Sequence, residues 1–183
     1  MGSWPSGSRK AKATDLIRGS GVRIPPGPLT LERFIMDKPI LGFFGEYRFL
    51  SNFHLCEIVY KGITFPSTEH AFQADKATNE ELRQYIADLP TCRAAKKAGG
   101  TIDLRAHWET DKIQVMIDIT RIKYQIPELK EKLLATGQAY LEETNTWNDK
   151  FWGVCNGVGQ NQLGKTLMQV RYELRWIGQD KYT

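Results

Sequence analysis

Cysteine, histidine and long apolar runs are all scarce in this chain of 183 residues. The three cysteines are widely spaced, and none forms a C-x-x-C or C-x-x-H pair, which argues against a disulfide framework and predicts a reducing, cytoplasmic location. The three histidines show no ligand spacing, so we predict neither a metal nor a cofactor, with a mixed metal site built from distant residues as the open alternative. No apolar stretch approaches the ~20 residues of a membrane span, so no membrane partner is expected. The cysteines are Cys56, Cys92 and Cys155, and the histidines are His54, His70 and His107.

The net charge of +4 is confined to the beginning of the chain. Residues 1–35 contain six basic and two acidic side chains, whereas residues 36–183 contain equal numbers of each. A charge-balanced main part argues against a dedicated nucleic-acid-binding protein. The hydrophobic content of 41% and the chain length together predict one folded domain over residues 36–183, with enough chain to bury a core.

Residues 1–35 are rich in glycine, proline and serine and show neither helical nor strand periodicity, which predicts a disordered basic tail. They lack the continuous apolar core of a secretory signal. The codons that would specify Val22-Arg23-Ile24-Pro25 resemble the T-arm of a transfer RNA gene. We therefore favour in-frame reading of non-coding sequence upstream of a natural start at Met36, and a functional basic arm is the alternative. Mass spectrometry of the native protein distinguishes the two.

Periodicity and turn residues in the rest of the chain predict an α+β fold, a mostly helical single domain with a small β-hairpin or sheet element. Residues 41–47 are predicted to form a strand followed by a loop, and residues 55–65 a hairpin that turns at Lys61-Gly62. Ser67 is a plausible N-cap for the first helix. Residues 145–161 are predicted to be loop. The predicted helices span residues 67–78, 80–87, 91–98, 105–124, 127–134 and 162–176, and a short strand is predicted at 140–143.

The segment from Gly159 to Thr166 matches G-x-x-x-x-G-K-T, the phosphate-binding P-loop pattern. A P-loop follows a buried strand of a parallel sheet, whereas the chain here is mainly helical and shows no alternating rhythm of strands and helices. We therefore predict only a glycine-containing turn that opens the last helix. The apolar face of that helix consists of Leu163, Leu167, Val170 and Leu174.

The predicted helix after Ser67 carries the most reactive side chains. Glu69, Gln73 and Lys76 are spaced i, i+4 and i+7, so they share one helical face. Spacing alone leaves two interpretations open, a solvated polar ladder and a catalytic face. Lys112 raises the same question, because it lies within the apolar stripe that includes Trp108. A lysine there either extends to the edge of the stripe or points into a pocket.

Seven short motifs occur in one order within residues 43–175. They are L-S-N-F from Leu50, F-P-x-x-E-H-x-F-Q-A-x-K from Phe65, A-K-x-x-G from Ala95, R-x-x-W-x-x-x-K-x-x-x-M from Arg105, L-x-T from Leu134, N-D-x-x-W-G from Asn148, and N-x-L-G-x-x-L-M-x-x-R from Asn161. Together they resemble the YbiA-like family, also called NADAR after its proposed link to NAD and ADP-ribose. The family has an N-x-L-G turn at the P-loop-like segment, with no need for its Lys165-Thr166.

This resemblance implies the mostly helical YbiA-like fold and a hydrolase that cleaves N-glycosidic bonds to ribose. The resemblance implies one of two enzymatic activities. One releases ribose 5-phosphate from an aminopyrimidine of early riboflavin biosynthesis, and the other removes ADP-ribose from guanine in nucleic acid. Both break a bond between ribose C1′ and an exocyclic amine. The first activity is our prediction, and the second, which alone needs a nucleic-acid partner, is the alternative. A non-catalytic module that binds NAD or ADP-ribose is the third possibility.

Cleavage of this bond builds positive charge at C1′ and negative charge on the departing amine, so the site needs a carboxylate and an acid. The resemblance places Glu69 and Asp149 there. We predict Glu69 as acid/base, Lys76 as nucleophile or electrostatic partner, and Asp149 as the residue that orients the ribose hydroxyls or activates water. Glu46 is a weaker acid candidate. The predicted substrate-binding residues are Asn52 and Gln73, Trp108 and Trp152 for base stacking, and Arg48, Arg105 and Lys112 for phosphate.

Overall fold

Six α-helices, one 3-10 helix and seven short strands make up the fold of residues 37–176, the part of the chain that the computed structural model describes. The α-helices are α1 Thr68–Ala74, α2 Glu80–Ala87, α3 Cys92–Gly99, α4 Trp108–Lys123, α5 Pro127–Ala135 and α6 Gln162–Trp176. The strands are β1 Ile40–Leu41, β2 Leu55–Tyr60, β3 Ile63–Ser67, β4 Leu141–Glu142, β5 Thr144–Asn145, β6 Val154–Cys155 and β7 Val158–Gly159. The predicted α+β class is confirmed. The predicted tail, residues 1–35, and the predicted start at Met36 lie outside the described residues.

Within residues 37–176 the strands form three separate small sheets. Strands β2 and β3 form the predicted antiparallel hairpin, and its turn at Lys61-Gly62 has positive φ angles of 50° and 81°. Strand β1 pairs in parallel with β4, which ties the segment before the 3-10 helix to the segment before the third sheet. In that third sheet, β6 pairs in parallel with β5 and antiparallel with β7.

Four sequence predictions are corrected by these elements. Residues 145–161, predicted as loop, contain most of the third sheet, because strands of two residues are too short to show periodicity. Residues 41–47 begin at the end of the short strand β1, as predicted, but the loop predicted after it is partly a 3-10 helix, which spans Gly45–Leu50. Helix α1 ends at Ala74 and not near residue 78, because the amides of Lys76 and Ala77 bond three residues back and the buried Asp75 side chain pairs with distant cations. Helix α4 begins at Trp108 and not at residue 105.

Helix α1 lies at the centre of the core, and all seven of its residues are buried. It contacts α2, α3, α4 and the hairpin. Ser67 is the predicted N-cap, and its Oγ accepts a 3.3 Å hydrogen bond from His70 N. Ser67 Oγ also lies 2.7 Å from His70 Nδ1, so the polar atoms at this buried helix start are satisfied. Polar side chains of α1 are therefore held rigidly among core residues.

The P-loop-like segment is a turn that opens α6, as predicted. The strand before it, β7, is an antiparallel edge strand and not a strand of a parallel sheet. Gly164 is required for packing, since a Cβ there would lie 2.1 Å from the Leu141 carbonyl oxygen. Leu163 and Leu167 are buried on the apolar face of α6. The glycine therefore serves close contact between helix and strand, and not phosphate binding.

Lys123, at the end of α4, is buried in the core. Its side chain is 1% exposed, and Nζ donates a 2.8 Å hydrogen bond to the Ser51 carbonyl oxygen. Burial lowers the pKa of Lys123 to about 8, because the ammonium group loses its hydration there. This cation was missed by sequence reasoning, because a lysine at the end of a helix normally faces solvent. The bond holds the backbone immediately before Asn52.

We expect the unfolding free energy to rise with pH above about 8 because of Lys123. Between that value and the ordinary lysine pKa of 10.5, the unfolded chain binds more protons than the folded chain, so stability increases. Urea denaturation of the wild type and Lys123→Met should show their stability difference shifting by about 2 kcal/mol in favour of the wild type from about pH 7.5 to about pH 9.5. A difference that is independent of pH contradicts this assignment. Lys97→Met, at an exposed lysine, is the matched control.

Candidate active site

A cavity of about 530 Å³ opens beside α1 and α3. Its walls come from the 3-10 helix and the residues after it, from α1 and α3, and from residues 143–152 around the third sheet. A cavity of this volume accommodates a ligand of nucleotide size. Both apolar rings and ionisable groups line it. Seven of the predicted site residues are among its lining, namely Arg48, Asn52, Glu69, Gln73, Lys76, Asp149 and Trp152.

Two predicted phosphate-binding residues do not line the cavity and are bound to carboxylates elsewhere. Arg105 donates from Nη2 to Asp75 Oδ2 at 3.0 Å and from Nη1 to Asp111 Oδ2 at 2.7 Å. Lys112 forms an ion pair with Glu109 on the same helix. These two cations therefore lie outside the cavity lining, and neighbouring carboxylates compensate their charges.

Trp108, predicted as a stacking residue, belongs to the core behind the cavity wall. It is 4% exposed, and its ring centroid lies 5.0 Å from that of Phe72. Trp152 does line the cavity, and its ring meets Phe72 edge-on at 5.2 Å. Trp152 is consequently the tryptophan of this pair that is accessible to a ligand, and Trp108 supports Phe72 from behind.

Glu69 and Gln73 are joined on the cavity face of α1. Gln73 Nε2 donates a 2.8 Å hydrogen bond to Glu69 Oε1, as the i, i+4 spacing allows. Burial raises the pKa of Glu69, which is 6% exposed, while the hydrogen bond from Gln73 and the charges of Lys96 and Lys76 oppose this. Glu69 is therefore a buried carboxyl whose protonation responds to what binds beside it.

Gly99, at the end of α3, provides the space for the Gln73 side chain. A Cβ at Gly99 would lie 2.1 Å from Gln73 Oε1, so no other residue fits without displacing that amide. Gln73 Oε1 is itself buried and has no hydrogen-bond partner among the described residues. This close approach of α3 to α1 explains why the A-K-x-x-G motif ends in glycine.

Lys76 continues the same face beyond the end of α1. Its Nζ donates a 3.2 Å hydrogen bond to the Gly99 carbonyl oxygen and lies 5.7 Å from the Phe72 ring centroid. Burial lowers the pKa of Lys76, and the nearby Glu69 carboxylate opposes this shift. The fraction of neutral amine is therefore larger than for a solvated lysine, and this amine faces the cavity.

The segment that carries Asn52 is anchored to α1 by its backbone and side chain. Asn52 O accepts a 3.1 Å hydrogen bond from Glu69 N, and Thr68 Oγ1 lies 3.1 Å from Asn52 Oδ1. Asn52 Nδ2 lies 3.4 Å from Met116 Sδ on α4. Because sulfur is a weak acceptor, a ligand oxygen can compete for this amide nitrogen.

Asp149 organises the turn before β6. Its Oδ1 accepts hydrogen bonds from Phe151 N at 3.1 Å and from Trp152 N at 2.9 Å. Asn145 holds the Asp149 backbone on both sides, accepting from Asp149 N at 3.1 Å and donating to Asp149 O at 2.7 Å. One carboxylate oxygen is thus committed to presenting Trp152, and Oδ2 is the oxygen available to a ligand.

Several lining residues were missed by the sequence reasoning. Two exposed cations of α3 line the cavity, Arg93 and Lys96. Lys96 Nζ lies 6.0 Å from the ring centroid of Trp147. Trp147 is 55% exposed beside the cavity. Glu143, between β4 and β5, completes the set. Of these, only Lys96 had a sequence signal, since it belongs to the A-K-x-x-G motif. Arg93 lies on the same helix, and Glu143 and Trp147 reach the cavity through the folding of residues 141–155.

No group of three or more His, Cys, Asp or Glu side chains within residues 37–176 is arranged to hold a metal ion. The expectation that neither metal nor cofactor is needed remains a prediction. In the same range no helix has the length and apolar character needed to cross a bilayer.

The cavity, with its carboxyl–amide–lysine face and aromatic wall, has the features of an enzyme site for a nucleotide-sized molecule. Residues 39–175 match the family model described as NADAR domain, and the chain therefore belongs to the NADAR family. It is 39% identical over 147 residues to N-glycosidase YbiA of Shigella boydii serotype 4 (strain Sb227), an alignment that covers 76% of this chain and 91% of that protein. The family assignment made from the motifs is confirmed.

Two further relatives extend the comparison. A riboflavin biosynthesis protein of Vibrio vulnificus (strain YJ016) is 35% identical over 147 residues, covering 77% of this chain and 40% of that protein. The NMR structure of the E. coli protein YbiA matches with a TM-score of 0.72 and 36% sequence identity, covering 81% of this chain and 91% of that chain. The YbiA-like fold predicted from the motifs is thereby confirmed.

Proposed function

We propose that this protein is an N-glycosidase that hydrolyses the bond between C1′ of ribose 5-phosphate and an exocyclic amine of a pyrimidine-type base. The observation that carries the proposal is the buried face of Glu69, Gln73 and Lys76 inside a nucleotide-sized cavity. The names of the relatives, N-glycosidase YbiA and riboflavin biosynthesis protein, support both the reaction and the substrate class. A small phosphorylated ribosyl-aminopyrimidine, as in early riboflavin biosynthesis, is the proposed substrate.

The proposed reaction develops charges of opposite sign on the two atoms of the breaking bond. Positive charge develops at C1′, where the Glu69 carboxylate stabilises it, and negative charge develops on the departing amine, which must be protonated. Lys76 acts either as the electrostatic partner of Glu69 or as a nucleophile that forms a Schiff base with the opened ribose. Asp149 Oδ2 is free to orient ribose hydroxyls or a water molecule.

Recognition of the substrate is assigned to residues that line the cavity. Trp152 stacks on the base, and Asn52 donates to the ribose or the base. Arg48 remains the proposed phosphate partner, joined by Arg93 and Lys96, since the other candidates are held by carboxylates. The three described cysteines form no disulfide bond, in keeping with the proposed cytoplasmic location.

Removal of ADP-ribose from guanine in nucleic acid is the second candidate function. This function is favoured by the exposed rings of Phe44 and Trp147, which line the cavity together with the cations Arg48, Arg93 and Lys96. Exposed rings and cations at a cavity suit a longer, anionic substrate with several bases. A module that only binds NAD or ADP-ribose is disfavoured by the Glu69–Lys76 pair, whose pKa values are shifted in opposite directions as acid–base chemistry requires.

Parallel turnover assays on both substrates test the proposal. We expect the purified 183-residue chain to release ribose 5-phosphate from the phosphoribosyl-aminopyrimidine with a kcat/KM at least about 10-fold above that for ADP-ribose release from ADP-ribosylated DNA, because residues 36–183 carry equal numbers of basic and acidic side chains. Liquid chromatography with mass detection measures both products. Release of ADP-ribose alone supports the second candidate, and binding without turnover supports the module.

A further inference from the structure

Glu143 is a cavity residue with no role in the reaction as described so far. It lies between β4 and β5, and both of its backbone groups are clamped. Its N–H donates a 3.1 Å hydrogen bond to Asn161 Oδ1, and its carbonyl oxygen accepts one from Val154 N at 2.9 Å. A Cβ at Gly153 would lie 3.1 Å from Glu143 Cγ, so the glycine makes room for this side chain. The backbone of Glu143 is therefore held in place at the cavity wall.

The carboxyl group of Glu143 is only partly satisfied by the protein. Its Oε2 is buried and has no hydrogen-bond partner among the described residues. An orphaned buried carboxyl oxygen costs stability, so its retention in a cavity wall points to a ligand that completes the contact.

The surroundings of Glu143 and Glu69 differ in a way that separates their roles. Burial raises the pKa of Glu69 too, but the hydrogen bond from Gln73 and the charges of Lys96 and Lys76 oppose that rise and favour its ionised form. Glu143 Oε2 receives no such bond from the described residues. Burial, and then the charge of Asp149, raise the pKa of Glu143 to about 7, with Lys96 and Arg48 opposing. Two carboxyl groups in such different surroundings divide into an acid and a base.

We propose that Glu143 is the proton donor to the departing amine, an assignment that rests on the N-glycosidase function proposed above. When the C1′–N bond breaks, its electron pair stays on nitrogen, and the Glu143 carboxyl proton forms the new N–H bond. The oxygen of a water molecule then forms a bond to C1′, and the proton released goes to the Glu69 carboxylate. Exchange with solvent restores the protonated Glu143 and the ionised Glu69.

Two substrates with different leaving groups test this role. One is the phosphoribosyl-aminopyrimidine, whose amine must be protonated, and the other is 4-nitrophenyl riboside 5-phosphate, whose phenolate departs unaided. Glu143→Gln should lower kcat/KM about 10²- to 10⁴-fold on the first and less than about 10-fold on the second. The wild-type pH profile on the first substrate should fall on the alkaline side with an apparent pKa near the value of about 7 for Glu143, and Glu143→Gln should lack this limb.

Glu142→Gln is the matched control, because it changes the neighbouring carboxyl, which does not line the cavity, and it should behave as the wild type on both substrates. Should Glu143→Gln fail to fold, Glu143→Asp takes its place, and the same difference between substrates is expected. Equal losses on both substrates, or a wild-type profile in the variant, overturn the role of Glu143 alone. A wild type that turns over neither substrate overturns the proposed function and this role with it.

Discussion

Glu69→Gln should lower kcat/KM for the phosphoribosyl-aminopyrimidine by about 10³-fold. The variant keeps the shape of the side chain and a hydrogen-bonding oxygen for Gln73, so the fold should be retained. It removes the negative charge that faces C1′ and the group that takes up the proton from water. Steady-state kinetics with a thermal melt of each protein measures both effects.

The leaving group gives this prediction a further consequence. Because Glu69 acts at C1′ and not on the departing amine, the loss should be similar on 4-nitrophenyl riboside 5-phosphate. Glu46→Gln is the control, since Glu46 is an exposed carboxyl of the 3-10 helix that does not line the cavity. A Glu69→Gln protein that is folded and retains more than about a tenth of wild-type kcat/KM contradicts the assignment of Glu69 as an acid–base residue.

Lys76→Ala should lower kcat/KM about 10²-fold or more, because it removes both the cation beside Glu69 and the amine that faces the cavity. Partial burial lowers the pKa of Lys76 and so supplies neutral amine, the form that attacks a carbonyl or imine carbon. If a Schiff base forms, borohydride added during turnover should leave a ribose 5-phosphate adduct on Lys76. Peptide mass mapping of the trapped protein locates it.

Lys76→Arg separates the two roles left open for this residue. Arginine retains the positive charge near Glu69 but forms no Schiff base. Loss of activity and of the adduct in Lys76→Arg supports the nucleophile. An active Lys76→Arg protein, with no adduct in the wild type, supports the electrostatic role and direct attack by water. An adduct on Lys96, the other lysine of the cavity lining, contradicts the assignment of the nucleophile to Lys76.

The reactive face of α1 could be predicted because it depends on local geometry. Residues three and four apart share a helical face whatever surrounds the helix, so Glu69 and Gln73 meet as their spacing requires. The N-cap at Ser67 and the hairpin turn at Lys61-Gly62 follow from the same short-range rules. The order of the seven motifs also identified the family, since motif matching needs no knowledge of contacts.

The choice of partner for each charge could not be predicted, because it depends on residues distant in sequence. Arg105 bonds to Asp75, 30 positions earlier, and is thereby removed from the candidate phosphate site. Glu143 lies 74 positions after Glu69, yet both line one cavity, where burial, and to a smaller extent the charge of Glu69, raises the pKa of Glu143. Periodicity describes which face of an element is apolar, but it does not say which other element covers that face.

The sequence by itself determined the α+β class, the family and the Glu69–Gln73–Lys76 face, because each follows from periodicity or motifs that are read along the chain without knowing which elements contact each other. The tertiary structure alone decided which ionisable groups share the cavity. In the folded chain, Arg105 and Lys112 pair with carboxylates, and Trp108 packs against Phe72, so none of the three lines the cavity. Glu143 does line it. The physical reason is that burial and the pairing of charges are set by packing between elements, which short-range spacing does not encode.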